Sequence, residues 1–314
     1  MRSAVTGGAG FIGSQLVDAL AARGDEVLVI DDFSSGKREN LASALESGVE
    51  VIELDVADGA ALSAAIEGFR PESVFHLAAQ IDVRVSMANP GFDVRLNVLG
   101  TVNALEAASR VAASRFVFTS TGGAIYGEGA GRVDELPFAE TAPCKPYSVY
   151  GQSKLAAEGY VEYYARARGL SAGTLRLGNV YGPRQDPATE AGVVAIFCEA
   201  ARDRGQPTVF GDGEQTRDYI HVADVVDALL AAESSDDTGP FNVGTGVETT
   251  VLRLVDLVGA AYERSDFEPR LAPPREGEVH RVALNTTAAA ERLGWRAART
   301  IETGLEQTVA AEAS

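Results

Sequence analysis

The residues best suited to acid–base chemistry lie in the segment YGQSK, which begins at Tyr150 and ends at Lys154. This segment opens a predicted helix that continues to about Arg168, so residues four apart share one helix face. A free phenol has a pKa of about 10 and is a poor base at neutral pH. A neighbouring ammonium favours the phenolate, so the pair is suited to proton transfer. Taken alone, such a pair is more often a surface tyrosine that packs against a lysine stem, although the chain has only three lysines.

A glycine-rich turn near the start of the chain is suited to binding a dinucleotide. The predicted strand Ser3–Thr6 leads into Gly7, Gly10 and Gly13, and the apolar pattern of Ile12–Arg23 indicates a following helix. The first glycine permits a tight turn, the second a close approach of backbone amides to a pyrophosphate, and the third close packing of helix on strand. The helix N-terminus adds oriented N–H groups and a partial positive charge. Three glycines alone often mark only a turn, but the strand, the helix and a downstream acid favour the nucleotide site.

The downstream acid is Asp31, which ends the second predicted strand eighteen residues after Gly13. A carboxylate there accepts hydrogen bonds from the ribose hydroxyls of adenosine and repels a 2′-phosphate, which favours NAD over NADP. Lys37 and Arg38 leave NADP open, although a surface pair at the opening of a helix is the simpler interpretation.

Small and hydroxyl-bearing residues follow other predicted strands. The segment TSTGGAIYG runs from Thr119 to Gly127 at the end of the fifth strand. Hydroxyl groups at the carboxyl end of a strand lie where an open α/β sheet binds its ligands, although this composition also suits an ordinary turn. Asp55-Val56 and Leu77-Ala78-Ala79 follow the third and fourth strands, where they would flank adenine and pyrophosphate or form simple β–α turns.

The elements that must position these residues alternate between β-branched runs and Ala/Leu-rich helical stretches. The predicted strands are Ser3–Thr6, Glu26–Ile30, Val49–Leu54, Ser73–Leu77, Phe116–Ser120 and Ala172–Leu177. Their alternation with helices implies right-handed crossovers and an α/β fold with a Rossmann-type, doubly wound parallel sheet. Beyond Gly182 the pattern weakens into shorter pieces. We therefore predict a mainly NAD-binding domain over 1–178 and a smaller, interleaved α/β substrate lobe over 179–314, with some segments returning to the first domain.

Composition excludes several classes of function. The net charge of −18 over 314 residues opposes binding to nucleic acid, which needs clustered Lys and Arg. A small anionic ligand is still compatible, because salt screening limits the reach of the global charge to about 10 Å. The two cysteines and three histidines are scattered, so no disulfide and no metal site is predicted. The sequence has neither a long apolar run nor a secretory signal, which predicts a cytoplasmic protein without a membrane span.

Ordered motifs extend over the whole chain: TGGAGFIGS, DDFSSGKREN, FHLAAQ, STGGAIYGE, YGQSK, LRLGNVYGPRQ, VFGDGEQTRDYIHVADV, FNVGTG and PPREGEV. On this ordered set, which is highly specific, the chain resembles the extended short-chain dehydrogenase/reductase family. Within its NAD-dependent epimerase/dehydratase branch, the chain is similar to the UDP-sugar 4-epimerases. The resemblance implies bound NAD, a UDP-sugar substrate and a homodimer formed by two long helices, around Gly91–Ala112 and Ser148–Arg168 of each copy.

The resemblance also implies roles for individual residues. Tyr150 is the expected base and acid at the sugar 4-OH, Lys154 holds the nicotinamide ribose and tunes Tyr150, and Thr121 or Ser120 shares the hydrogen bond at O4. The implied cofactor-binding residues are Gly7, Gly10, Phe11, Ile12, Gly13, Asp31, Asp32, Ser34, Ser35, Gly36, Asp55, Val56, Leu77, Ala78, Ala79, Gln80, Asn97, Tyr150, Lys154 and Gly178. The implied substrate-binding residues are Thr121, Asn179, Arg184, Val193, Arg217, Arg275 and Glu278. Arginines from separate segments suit a diphosphate, although each alone is more often part of a surface ion pair.

Members of this branch share oxidation at C4 of the sugar and differ in the later steps. The dehydratases carry an Asp-Glu pair after the active-site Thr, and decarboxylating relatives a Glu, whereas this chain has Gly122-Gly123. Because glycine cannot transfer a proton, the resemblance favours simple inversion at C4. The UDP-glucose/UDP-galactose pair is slightly favoured over UDP-glucuronate/UDP-galacturonate, whose carboxylate could meet Thr121, Ser120 or Arg184. A nucleotide-sugar dehydratase or reductase and a non-catalytic NAD-binding regulatory protein are the alternatives.

Overall fold

The computed structural model describes residues 1–188, 192–274 and 279–312, in which strands and helices alternate along the chain. The strands are β1 (Arg2–Thr6), β2 (Glu26–Asp31), β3 (Glu50–Glu53), β4 (Ser73–His76), β5 (Arg115–Thr121), β6 (Ala172–Leu177), β7 (Asn179–Tyr181), β8 (Thr208–Phe210), β9 (Thr216–Arg217), β10 (Tyr219–His221), β11 (Phe241–Val243), β12 (Thr249–Thr250) and β13 (Arg270–Ala272). The helices are α1 (Phe11–Arg23), α2 (Ala42–Glu46), α3 (Gly59–Phe69), α4 (Val83–Ala88), α5 (Pro90–Val94), α6 (Gly100–Arg110), α7 (Gly122–Ile125), α8 (Val149–Arg168), α9 (Val193–Arg202), α10 (Val222–Glu233), α11 (Val251–Ala261) and α12 (Ile301–Glu312). Short 3-10 turns span Arg38–Leu41 and Ala130–Glu135, and π turns span Arg95–Leu99 and Ala289–Leu293.

Seven strands in the described part of the chain form one parallel sheet, in the order β11-β6-β5-β4-β1-β2-β3. The chain starts in the middle of this sheet, because β1 pairs with β2 on one side and with β4 on the other. The strand order therefore reverses between β1 and β4, and open α/β sheets bind ligands at such a point, beyond the carboxyl ends of their strands. The predicted Rossmann-type, doubly wound sheet is confirmed.

The six predicted strands all form, with small differences at their ends. β3 is shorter than predicted by one residue at each end, and β4 ends at His76 because Leu77 already belongs to the loop that turns toward β1. Helix α8 begins one residue after Ser148, whose Oγ accepts a hydrogen bond from the Gly151 N–H at 3.1 Å and so caps the helix. The predicted long helix around 91–112 is interrupted by a π turn between α5 and α6. No helix in the described residues is both long and apolar enough to cross a membrane.

Helices cover both faces of the main sheet, which explains why its central strands are buried along almost their whole length. On one face, Leu16 and Leu20 of α1 pack in the same core as Leu229 of α10. On the other face, Leu62 of α3 packs in the same core as Leu105 of α6. All five side chains have no exposed surface. Burial on two faces is typical of an all-parallel sheet, and it holds the carboxyl ends of the strands rigidly in one row.

A smaller lobe forms around α9, α11 and α12, where Phe197, Leu254 and Leu305 are buried together. Its short strands pair as β7 with β10, β8 with β13 and β9 with β12. The chain returns to the main sheet in β11, which pairs with β6. The two lobes are therefore interleaved along the chain, while the assignment of NAD to one and the sugar to the other stays a prediction.

His76, the last residue of β4, connects the centre of the sheet to the helix layer. Its Nδ1 lies 2.7 Å from the Thr6 Oγ1 and its Nε2 lies 3.1 Å from the Thr101 Oγ1. The Thr101 hydroxyl donates to the Asn97 carbonyl at 2.7 Å, so it accepts from the Nε2–H of His76, and the Nδ1 accepts from Thr6. The imidazole is thus neutral and fully bonded. Complete burial, with a smaller effect of the Lys154 charge, lowers the pKa of His76 to about 3.

This buried neutral imidazole predicts a contribution to acid denaturation. Between pH 6.5, the ordinary histidine pKa, and pH 3, the unfolded chain binds a proton that folded His76 refuses, so stability falls as the pH falls. We expect His76→Gln to flatten the pH dependence of the free energy of unfolding by about 1.4 kcal/mol per pH unit in this range. Urea denaturation between pH 7 and pH 5 measures the slope, with the exposed His280→Gln as the control. Equal slopes for His76→Gln and the native chain would contradict the assignment.

Candidate active site

The glycine turn between β1 and α1 is held in a conformation that only small residues allow. Gly7 has a φ of +69°, and a Cβ on it would lie 2.7 Å from the Ala78 nitrogen. A Cβ on Gly13 would lie 2.0 Å from the Gly7 carbonyl oxygen, so the first turn of α1 packs directly on this loop. Gly10 is the N-cap of α1 and lacks a side-chain cap. The turn therefore leaves backbone N–H groups at the N-terminus of α1 directed to the switch point, as a pyrophosphate site requires.

Asp31 lies at the carboxyl end of β2 and organises the adjacent loop. Its Oδ2 accepts from the Ala9 N–H at 2.8 Å and its Oδ1 from the Phe33 N–H at 2.9 Å. A Cβ on Gly36 would lie 2.8 Å from the Asp31 Oδ1, so the loop closes tightly over the carboxylate. Burial raises the pKa of Asp31, and the two backbone hydrogen bonds oppose this. Each oxygen keeps acceptor capacity for a ribose hydroxyl.

The two basic residues near Asp31 are already engaged with carboxylates. Lys37 Nζ lies 2.6 Å from the Asp186 Oδ2, and Arg38 Nη2 lies 2.7 Å from the Glu53 Oε2. These pairs reduce what either cation can offer to a 2′-phosphate, which supports NAD over NADP. The first pair also joins the loop after β2 to the segment that follows β7.

Other residues predicted to contact the cofactor lie around this loop, and some of them already bond to neighbouring protein groups. Asp32 is exposed, and its Oδ1 accepts from both the backbone N–H and the hydroxyl of Ser34. The Asp55 carboxylate forms an ion pair with Arg95 at 2.6 Å. The remaining ones line the sheet edge at the ends of β1, β2, β3 and β4, and these are Phe11, Ile12, Ser35, Val56, Leu77, Ala78 and Ala79.

Gln80 and Asn97, both predicted at the cofactor, hydrogen-bond to each other. The Gln80 N–H donates to the Asn97 Oδ1 at 2.8 Å, and the Asn97 Nδ2 donates to the Gln80 carbonyl at 2.9 Å. Both side-chain amides also donate to the buried carboxylate of Asp93, at 2.9 Å and 3.2 Å. Their side chains thus fix the loop after β4 against α5 and the π turn.

Tyr150 and Lys154 lie in the first turns of α8, beside the end of β5. Burial raises the pKa of Tyr150 to about 12, which a hydrogen bond with Thr121 opposes and the Asp93 charge reinforces. The Lys154 Nζ donates to the Thr119 carbonyl at 2.8 Å and lies 4.7 Å from the centre of the Phe118 ring. Burial lowers the pKa of Lys154 to about 8, against the opposing charges of Glu158 and Asp93. Tyr150 thus contacts Thr121 and Lys154 packs against β5, while the proximity of the phenol to the ammonium stays a prediction.

Two polar atoms beside this pair have no hydrogen-bond partner in the described part of the chain. They are the buried Ser120 Oγ and the buried Asn179 Oδ1. The second faces the turn after β5, because a Cβ on Gly123 would lie 3.2 Å from it and 3.9 Å from the Thr121 Oγ1. Buried polar atoms are nearly always hydrogen-bonded, so two unpaired ones at a cleft indicate a polar ligand.

Gly122, in the turn after β5, packs closely against Leu284. A Cβ on Gly122 would lie 2.5 Å from the Leu284 Cδ1 and 3.2 Å from the Arg176 carbonyl. An aspartate at this position therefore requires Leu284 to move. The absence of a proton-transferring side chain here agrees with the expectation from the sequence.

The residues predicted to bind the substrate are only partly brought together. Asn179 begins β7 beside the turn after β5, Gly178 precedes it, and Val193 begins α9. The Arg217 Nη1 donates to the Thr216 carbonyl at 2.8 Å in β9. Arg275 and Glu278 lie outside the described residues.

Arg184 is not placed with the catalytic residues. Its Nη2 lies 2.6 Å from the Asp18 Oδ2 of α1, and the two residues line a cavity with Gln15, Pro183 and the end of α12. Its partner is thus a residue of α1, and Arg184 forms an ion pair of the kind that a single arginine most often forms.

Four polar residues near the pair escaped the sequence analysis: His76, Ser86, Asp93 and Ser153. The Ser86 Oγ accepts from the Tyr150 N–H at 3.1 Å, and Ser153 lies inside the YGQSK segment. The contact between Asp93 and Asn97 had a local signal in the sequence, because residues four apart in a helix share one face. Within the described residues, no group of three or more metal-ligating side chains is found.

Comparison with known proteins agrees with this geometry. A family model described as "NAD dependent epimerase/dehydratase family" matches residues 3–244. The chain belongs to this family. It is 45% identical to a UDP-glucose 4-epimerase of Mycolicibacterium smegmatis over 311 residues, which cover 98% of this chain and 97% of that protein.

Two solved structures resemble this member of the epimerase/dehydratase family over almost their whole length. One is a UDP-glucose 4-epimerase of Thermotoga maritima with UDP-glucose, with a TM-score of 0.95 and 44% identity, covering 100% of this chain and 99% of the other. The second is a UDP-glucose 4-epimerase of Thermus thermophilus in complex with NAD, with a TM-score of 0.91 and 42% identity, covering 99% and 98%.

The position of Asp31 predicts the effect of its removal on the choice of dinucleotide. Asp31→Ala loses a charged acceptor for the ribose hydroxyls and the repulsion of a 2′-phosphate, so we expect NADH binding to weaken about tenfold or more. The ratio of NADPH to NADH dissociation constants is expected to fall with it. Fluorescence titration measures both constants, with the exposed Glu39→Ala as the control. An unchanged ratio would remove Asp31 from the ribose site.

Proposed function

We propose that this chain is a UDP-glucose 4-epimerase that interconverts UDP-glucose and UDP-galactose with NAD held in the protein. The observation that carries the proposal is the phenol of Tyr150, bonded to Thr121, beside a turn that lacks any further acid or base. Such a site can take and return one proton and can do little else. The names of the relatives at 44–45% identity support the same activity.

The residues of the switch point fit NAD. The glycine turn and the N-terminus of α1 would hold the pyrophosphate, Asp31 the adenosine ribose, and Lys154 the nicotinamide ribose. When bound, NAD would supply a reversible hydride acceptor, so that C4 of the sugar could be oxidised to a ketone and then reduced from its opposite face. Because oxidation and reduction balance within one turnover, the protein needs no added cofactor.

The chain's own part in the reaction is the movement of one proton at O4. Tyr150 takes this proton as a phenolate and returns it as a phenol, and Thr121 holds the same oxygen. Burial is the main cause that raises the pKa of the phenol to about 12, so the site needs positive charge to form the phenolate near neutral pH. The ammonium of Lys154 supplies one such charge, and the oxidised nicotinamide supplies another.

Inversion also requires the sugar ring to turn over while the nucleotide stays bound. Gly122 and Gly123 leave the face beside Thr121 without side chains. Asn179 and Arg217 are proposed to anchor the UDP part, together with Arg275 and Glu278. Anchoring through the nucleotide alone allows the ring to present either face of C4 to the same base.

A neutral hexose fits this site better than a uronate. The only basic residue proposed from the sequence to meet a carboxylate, Arg184, is paired with Asp18 of α1. The polar atoms around the reacting carbon are those of Ser120, Thr121 and Asn179, which are uncharged. Hydroxyl groups of glucose or galactose can satisfy these atoms without a buried charge.

A homodimer is proposed from the apolar surface of α4, α5 and α8. Large apolar and aromatic side chains there are 38–56% exposed, and they are Val85, Met87, Phe92, Val94, Tyr160 and Tyr163. An apolar patch of this kind is typical of a protein interface.

We also propose a cytoplasmic location, because Cys144 and Cys198 are free thiols, which suits a reducing compartment.

The activity is tested by incubating the purified protein with UDP-glucose or with UDP-glucuronate, without added cofactor, and resolving the products by proton NMR. UDP-galactose is expected from the first substrate, with no accumulation of NADH, and no epimer from the second. Epimerisation of UDP-glucuronate alone would replace the hexose by the uronate. A protein that contains NAD and converts neither would contradict the proposal.

In the same assay, Tyr150→Phe tests the base. Loss of a general acid–base group costs roughly 10²–10⁴ in rate, so we expect at least a hundredfold lower turnover with NAD still bound. Tyr160→Phe, on the same helix but exposed, is the matched control and is expected to keep full activity. Near-normal turnover in Tyr150→Phe would exclude this phenol as the base.

A further inference from the structure

Asp93, in the short helix α5, is a buried carboxylate with no exposed surface. Its Oδ1 accepts from the Gln80 Nε2 at 2.9 Å and from the Asn97 Nδ2 at 3.2 Å, and its Oδ2 accepts from the Ser153 Oγ. All three donors are neutral groups. The hydrogen bonds therefore satisfy the oxygens of Asp93 but do not neutralise its charge, and a buried charge is retained only where an opposite charge compensates it.

The contact with Ser153 connects Asp93 to the helix that carries the catalytic pair. Ser153 directly precedes Lys154, and its Oγ also lies 3.0 Å from the Tyr150 carbonyl. The Tyr150 N–H donates to the Ser86 Oγ of α4 at 3.1 Å. Hydrogen bonds from α4 and α5 thus hold the first turn of α8, where small displacements would move the phenol.

The charged and titratable groups around Lys154 come from each neighbouring element. Glu158 lies one turn along α8 and Asp93 lies on α5, while His76 of β4 is neutral. β5 contributes the Phe118 ring and the Thr119 carbonyl, and β6 contributes Arg176.

Glu158 and Asp93 differ in the charge that already faces them. The Glu158 carboxylate accepts three hydrogen bonds from the guanidinium of Arg176, at 2.7–3.2 Å, so its charge is largely balanced by that residue. Asp93 has no such cation among its hydrogen-bond partners in the described residues. The Lys154 ammonium, on the residue next to Ser153, is close enough for the charge of Asp93 to act on it.

We propose that Asp93 is a positioning residue of the reaction, which fixes the first turn of α8 through Ser153 and supplies the negative charge opposite the Lys154 ammonium. The inference rests on the proposed 4-epimerase activity, because it concerns how Tyr150 and Lys154 are set for that reaction. Gln80 and Asn97 also donate hydrogen bonds to the Asp93 carboxylate. This one side chain therefore links α8, the loop after β4 and the π turn.

The charge of Asp93 acts on both members of the catalytic pair in the same direction. It raises the pKa of Tyr150, after the larger effect of burial, and it raises the pKa of Lys154 against burial. Activity requires that Tyr150 can lose its proton and that Lys154 is charged. The pKa of Tyr150 therefore sets the acid limb of a pH–rate profile, and the pKa of Lys154 sets the alkaline limb. Removing the charge lowers both values, and the whole profile moves to lower pH.

The test compares the pH dependence of kcat on UDP-glucose in Asp93→Asn, Asp82→Asn and the native chain. Asp93→Asn removes the charge and keeps the shape, whereas Asp82→Asn makes the same change in a carboxylate that caps α4 and pairs with Arg84. In Asp93→Asn both limbs are expected at lower pH. At the alkaline pH at which the native chain has half of its maximal kcat, Asp93→Asn is expected to have about a tenth of its own maximal kcat. Asp82→Asn is expected to keep the native profile.

Ser153→Ala separates the two parts of the proposal, because it loses the hydrogen bond to Asp93 and keeps the charge. Its rate is expected to fall about tenfold or more, as the loss of a hydrogen bond to a charged group suggests, with both limbs in place. A lower rate without displacement of the limbs in Asp93→Asn would mean that the carboxylate is only structural, and would overturn the proposal.

A direct measurement on Lys154 does not depend on turnover. With ¹³C-labelled lysine the chain gives three side-chain signals, and Lys154→Arg identifies the one that disappears. The pKa of Lys154 read from this signal is expected to fall in Asp93→Asn and to stay unchanged in Asp82→Asn. An unchanged value in Asp93→Asn contradicts the proposal. If Asp93→Asn does not fold, Asp93→Ser makes the same removal of charge, with the same expected result.

These experiments distinguish the failure of the two proposals. If the native chain does not convert UDP-glucose, the proposed function fails, and the lysine titration still reports on the contact between Asp93 and Lys154. If the native chain converts UDP-glucose and the profile of Asp93→Asn coincides with it, the role of Asp93 alone fails.

Discussion

The ammonium of Lys154 is the constraint around which the site is organised. Lys154 is only 3% exposed, and burial lowers the pKa of its ammonium to about 8, which favours loss of the charge. A carbonyl of β5, the face of an aromatic ring and two carboxylates oppose that loss. The charge must persist, because the phenol of Tyr150 is itself buried and cannot ionise near neutral pH without positive charge beside it. The chemistry thus depends on keeping the buried Lys154 side chain positively charged.

The fold meets this constraint by placing helix α8 against the ends of the central strands. The sheet is covered on both faces, so its carboxyl edge is rigid, and the reversal of strand order between β1 and β4 opens a crevice there. The glycine turn and Asp31 form one side of the crevice, and the turn after β5 forms the other. Asn179, at the start of β7, directs its Oδ1 to this turn.

Much of this arrangement could be predicted from the sequence, because it depends on local patterns. The strands, the glycine turn, Asp31 and the Tyr150–Lys154 spacing are each encoded within a few residues, and the fold and family are confirmed. Most contacts of His76 and Asp93 were missed, since they join residues far apart in the sequence: 70 positions for His76 and Thr6, and 60 for Asp93 and Ser153. Arg184 is a further case: the sequence allows either a ligand contact or a structural role beside Pro183, and its partner Asp18 lies in a helix distant in sequence.

The fate of the hydrogen at C4 tests the central claim most directly. UDP-glucose that carries deuterium at C4 is incubated with the native chain in ordinary water until equilibrium, and the products are examined by NMR and mass spectrometry. Inversion by reversible hydride transfer within one protein molecule predicts that UDP-galactose keeps the deuterium at C4, with none released to water. Exchange of that deuterium with solvent would contradict the account, because it would mean that C4 loses a proton to a base rather than a hydride.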